Sequence, residues 1–148
     1  MGLDIKINKK FLTKVRDDLK TTDFQLKKGS FLLKVAQLLN SSIQRRVQEG
    51  GIGVSGLPMK RYSDEWSDFR QKNGRQISFR DLTFEGHMWQ SLTTTKVNRG
   101  VKMFFGGEED KTKAEGNQLR AKFFGLSHEE RAILKKSINK FVKKIGSK

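Results

Sequence analysis

His87 and His128 are the side chains of this sequence whose ordinary pKa suits proton transfer near neutral pH. Neither falls in a catalytic setting. His87 has no second histidine or HExxH spacing to complete a metal site, and His128 falls in the first turn of a predicted helix, where the dipole disfavours a charged imidazole. Asp64, Glu65 and Asp68 are close enough in sequence to gather a metal, or to do no more than solvate the outer face of a short helix. Asp81 and Glu85 add carboxylates, but no spacing selects a general acid and its base from among them. There is no cysteine, which removes thiol nucleophiles, thiolate metal sites and disulfides together, and no serine sits in a GxSxG elbow. The stretch GGIGVSGLP, Gly50 to Pro58, resembles a phosphate cradle only in its glycines. A cradle follows a strand and opens a helix, whereas this run follows a helix and leads into proline, so a flexible loop is expected. The residues therefore predict a non-enzymatic chain without cofactor or metal. A small metal-dependent nuclease drawn to DNA by charge is the enzymatic alternative.

Charge is the strongest compositional signal: 31 basic and 16 acidic residues in 148 give a formal net charge of +15. Such a balance draws anions and suits either nucleic acid or an acidic protein partner. A dedicated nucleic-acid binder should interleave basic residues with exposed aromatics or carry a known reading motif. The sequence displays neither. Hydrophobic and charged residues are nearly equal, at 34% and 32%, so one domain with a thin core and a heavily solvated surface is expected. Leu3, Ile5 and Ile7 alternate with polar residues in place of a signal-peptide core, and no apolar run reaches the roughly eighteen residues of a membrane span. Synthesis in a cytoplasm and no contact with membrane follow.

The elements that must position these residues read as follows. Residues 1–28 form an arm or peripheral element, with a strand at Ile5 and Ile7, a short helix carrying Phe11, Val15 and Leu19, and a break at Thr21 to Asp23. This element either docks on its own domain or swaps onto a neighbour. Leu32, Val35, Ala36, Leu39, Ile43 and Val47 mark one face of a long helix that Ser30 caps and Gly50 and Gly51 stop. Arg45 and Arg46 then sit at a solvated helix end or meet an acidic group. Tyr62, Trp66 and Phe69 share one helical face, for which core packing is the ordinary explanation. Thr93–Asn98 and Val101–Phe105 have strand composition around a turn at Arg99 and Gly100, and residues 106–118 read as a mobile polar loop. Ser127 and Glu130 have capping-box spacing and open a C-terminal helix. Its apolar stripe is Ile133, Leu134, Ile138, Phe141, Val142 and Ile145, and its basic face is Lys135, Lys136, Lys140, Lys143 and Lys144.

Two stretches carry a likeness beyond pattern. DLTFEGHMWQSL, Asp81 to Leu92, resembles the D-L-T-x-T-G-x-M-x-x-S-L/I signature of tail-completion and virion-morphogenesis proteins of tailed bacteriophages. NQLRAKFFGLSHEERAIL, Asn117 to Leu134, is similar to the same family's arginine, aromatic, Gly-Leu-Ser and acidic helix start. Glu85 stands where the pattern has threonine, and no proline precedes Arg120. The resemblance implies a single α+β domain, a long helix and a C-terminal helix packed on a small antiparallel sheet. It also implies a structural virion protein of the neck or tail, a homo-oligomeric and hexameric ring that completes the tail and joins it to the head. Its partners would be other copies of the chain and the neighbouring head-connector and tail-tube proteins, with transient contact with genomic DNA. Phe104, Phe105, Arg120, Phe123, Phe124 and the five lysines are the candidate interface residues. A basic nucleic-acid-binding protein is the alternative function.

Overall fold

The structure is a computed structural model that describes residues 3–8, 22–98 and 100–146, with the backbone alone for 6–8, 22–28 and 145–146. The expected helix carrying Phe11, Val15 and Leu19 lies outside the described residues. In chain order the elements are β1 (Asp4–Asn8), α1 (Thr22–Gly50), α2 (Asp64–Lys72), α3 (His87–Gln90), β2 (Leu92–Val97), β3 (Gly100–Phe105), α4 (Glu108–Arg120) and α5 (His128–Gly146). The fold is α+β: α1 and α5 pack against a three-stranded antiparallel sheet of order β1-β3-β2.

The apolar stripe of α1 is buried as its spacing predicts, from Leu32 through Val47. Beneath it, Val101, Met103 and Phe105 alternate along β3 to face the core, which is the period of two that a half-buried strand requires. The hairpin is registered with Leu92 opposite Phe105 and Val97 opposite Gly100. Strand β1 pairs on the other edge of β3, Asp4 opposite Phe104, so the alternating N-terminus does form a strand. Helix α5 runs antiparallel to α1: its first turn meets Arg46, and its Phe141 ring stacks on Phe31 at 4.0 Å between centroids. Leu134 and Ile138 are buried, Ile133, Phe141 and Val142 are half-buried, and the side chain of Ile145 lies outside the described residues.

Three sequence expectations are corrected here. Helix α1 begins at Thr22, so Ser30 is an interior residue and not its cap. The Gly29-Ser30 pair is a weak break, and helix formers such as Gln25, Leu26, Lys27 and Lys28 precede it. Residues 106–118 hold a helix, α4, where a polar loop was expected. It forms with one buried apolar residue, Ala114, because Glu108, Glu109 and Asp110 load its first turn with negative charge and Glu109 pairs with Lys113 one turn on at 2.6 Å. The glycine-rich stretch is a hydrogen-bonded loop and not a flexible one. Gly53 N donates to Leu57 O, Met59 N to Gly51 O and Val54 N to Lys122 O, each within 2.8–2.9 Å. Gly51 has φ +62, and any Cβ there would fall 2.7 Å from Phe79, so the close approach is what requires glycine.

Candidate functional site

The stretches Asp81 to Leu92 and Asn117 to Leu134 are each organised around an arginine from elsewhere in the chain. In the second, Ser127 N donates to Glu130 Oε2 at 2.7 Å and Glu130 N to Ser127 Oγ at 3.3 Å, which is the predicted capping box. Glu130 is only 1% exposed, and its other oxygen accepts from Arg46 Nε at 2.9 Å. Arg46 also donates to the carbonyls of Ile52, Phe123 and Gly125. Its acidic contact, one of the two readings of the Arg45-Arg46 pair, is thus a nearly buried one that ties α1, the glycine loop and α5 together. Arg45 is exposed.

In the first stretch the centre is Arg70, 1% exposed on the inner side of α2. Its Nη2 donates to both oxygens of Asp81 at 3.0 and 3.2 Å, its Nη1 to Thr83 O at 2.7 Å and its Nε to Gln76 O at 3.0 Å. Asp81 Oδ1 accepts in addition from Tyr62 Oη and from Thr83 N, both at 3.0 Å. Tyr62 Oη accepts from Leu82 N at 2.9 Å, where the backbone takes φ 54, an uncommon conformation for leucine. Burial, then the Asp81 charge, push the Tyr62 hydroxyl up to about 12. Arg80 is also buried, with Nε on Lys60 O at 2.7 Å and Nη2 on Arg61 O at 3.0 Å, and both guanidiniums lie against the Tyr62 ring. Burial, joined by the like charge of Arg120, pulls Arg80 below the ordinary arginine range.

This clamp holds an aromatic surface open. Trp66 stacks on Phe69 at 5.1 Å, and Phe84 closes the triangle at 5.6 and 5.5 Å. Core packing was the expectation for Trp66 and Phe69, and the structure corrects it: they are 39% and 45% exposed. Helical spacing shows that two residues share a face but not which side of the fold that face meets. The three rings, Arg80, Arg120 and the first turn of α3 line a cleft of about 970 Å³.

The expected interface residues are distributed differently. Phe105, Phe123 and Phe124 are in the core, where Trp89 meets Phe105 and Phe123 edge-on, so they present no surface to a neighbour. Phe104 is half-exposed on the far side of the sheet, under Lys102. Arg120 is exposed at the end of α4, and Lys135, Lys136, Lys140, Lys143 and Lys144 are all exposed on α5. His87 is exposed beside Glu85 at 3.7 Å, and His128 is exposed at the start of α5. Among the described residues, no three His, Cys, Asp or Glu side chains converge on a point that could hold a metal, and no helix is long and apolar enough to cross a membrane. Phe84, Arg80 and the Arg70–Asp81 pair went unrecognised in the sequence, because each depends on contacts between separate segments. No protein-family model, curated protein or solved structure matches this chain.

Proposed function

We propose that the chain is a structural virion protein of a tailed phage, one that forms a ring at the neck or tail end and joins the completed tail to the head connector. The observation that carries the reading is the Trp66–Phe69–Phe84 stack, with Trp66 and Phe69 exposed and Phe84 half-buried, beside the buried ion pair that joins Arg70 to Asp81 of the stretch that resembles the family signature. Contiguous aromatic surface on a chain of net charge +15 calls for a partner to cover it. Polarity supports a head-to-tail contact of the kind that closes rings. The cleft lies at the C-terminal end of α1, where Gln48 reaches Thr83. Lys140, Lys143 and Lys144 lie toward the opposite end, around and past the Phe31–Phe141 stack, along a helix about 43 Å long. Those lysines suit an acidic face on the head-connector or tail-tube ring, and no bond is made or broken in the process.

One observation favours the nucleic-acid reading. The open rings stand beside Arg75, which lies over Phe84, and near Arg80 and Arg120, and stacking rings with nearby cations are what single-stranded nucleic acid uses. Light scattering at low and high salt, with and without DNA, separates the two. A discrete ring-sized species, or a chain that ignores DNA at physiological salt, supports assembly. Tight association of a monomer or dimer with DNA that weakens steeply with salt would replace it.

A further inference from the structure

The aromatic cleft has a chemistry that narrows what docks there. We infer that it receives a polypeptide segment of a partner protein in which an apolar or aromatic side chain lies next to a carboxylate. The inference rests on the assembly reading and specifies its partner. A space of about 970 Å³ walled by Trp66, Phe69 and Phe84 takes several side chains, not a lone ion. Of the cations lining it, Arg70 and Lys113 already hold Asp81 and Glu109. Arg80 and Arg120 are in no ion pair among the described residues. Arg80 is 7% exposed and held by two backbone carbonyls, so its guanidinium is fixed before anything arrives. A rigid, desolvated cation with a second cation nearby is best relieved by a carboxylate placed between them.

The rim decides between polypeptide and polynucleotide. Two carboxylates, Glu65 and Glu85, line the cleft beside the rings. A polynucleotide brings a phosphate with every base it stacks, and so meets these carboxylates wherever it engages the rings. A polypeptide sets one carboxylate against the two arginines and a neutral or basic side chain along the rim.

The test is selection from a random peptide library on the immobilised full chain, with binding of the enriched peptides then measured to wild type, Arg120→Glu and Phe84→Ser. Arg120 is exposed, so its reversal changes charge without disturbing the fold, and circular dichroism checks that both variants are folded. The expected winners place Asp or Glu within a few residues of Phe, Trp or Leu, and each substitution weakens them by about tenfold or more. No enrichment, winners without a carboxylate, or winners that bind both variants like wild type would overturn the inference. So would oligothymidine binding or self-association that the same substitutions abolish, since nucleic acid or a second copy would then occupy the cleft. Ring formation without a cleft-dependent peptide removes this inference and leaves the ring. Cleft-dependent peptides on a chain that never assembles do the reverse.

Discussion

Arg46 and Arg70 are both nearly buried, each paired with one carboxylate and each donating to backbone carbonyls of distant segments, yet their surroundings differ. Around Arg46 the carboxylate is inside, the neighbouring phenylalanines are in the core, and the contacts join α1 to the first turn of α5. Around Arg70 the ion pair is equally dry, but Trp66 and Phe69 on its own helix are exposed, and Phe84, just past its carbonyl partner Thr83, is half-buried against them. The same device closes the core in one place and stiffens an open surface in the other. An open surface that is rigid before contact loses little further conformational freedom when a partner covers it.

Substitutions at the two arginine centres should separate these roles. The largest effect belongs to Glu130→Ala, which leaves Arg46 without its carboxylate and removes the Glu130 half of the capping box of α5. A loss of about 3–5 kcal/mol is expected in urea denaturation, with binding at the cleft changed only through unfolding. Asp81→Asn keeps acceptor oxygen for Arg70 but removes the charge, and should cost about 2 kcal/mol. Unlike the first, it should also impair cleft binding under conditions where the protein is still folded, because the 80–88 stretch loses its clamp. Trp66→Ser combined with Phe69→Ser should cost about 2 kcal/mol in the isolated chain, less than Glu130→Ala because both residues are partly exposed, while abolishing docking. A cost as large as that of Glu130→Ala would show the rings to be core after all.

The smallest effect at neutral pH concerns Tyr62, the single tyrosine. Its folded value lies above the ordinary 10.0, at about 12, so the folded state holds its proton after the unfolded chain has lost it. The stability this contributes is complete below pH 10 and is lost as pH rises toward 12. Tyrosinate absorbance should therefore appear near pH 12 in the folded chain and near pH 10 in urea, and coincident titrations would contradict the buried Tyr62–Asp81 contact.

How much was legible in the sequence follows from the range of each interaction. The stripe of α1, the β2–β3 hairpin and the Ser127–Glu130 box are local patterns, and each appears in the fold at or near its expected position. Helix α4 was not legible, because it is held by charge at its first turn and a single buried alanine and lacks an apolar stripe. The partner of Arg46 is 84 residues away, so no local signal could choose between a solvated and a buried arginine. The aromatic surface was half legible: the spacing of Trp66 and Phe69 gave a shared face, and only the position of Phe84 and the inward turn of Arg70 reveal that this face is open.

The most direct measurement is hydroxyl-radical footprinting of the two tryptophans and the phenylalanines, in the free chain and in the chain recovered from assembled particles. Trp66 and Phe69 should label readily in the free chain and the half-buried Phe84 less so, and all three should become protected on assembly, while Trp89 and Phe123 stay protected in both. Equal labelling of Trp66 and Trp89 in the free chain, or no change at Trp66 between the two states, would contradict the account.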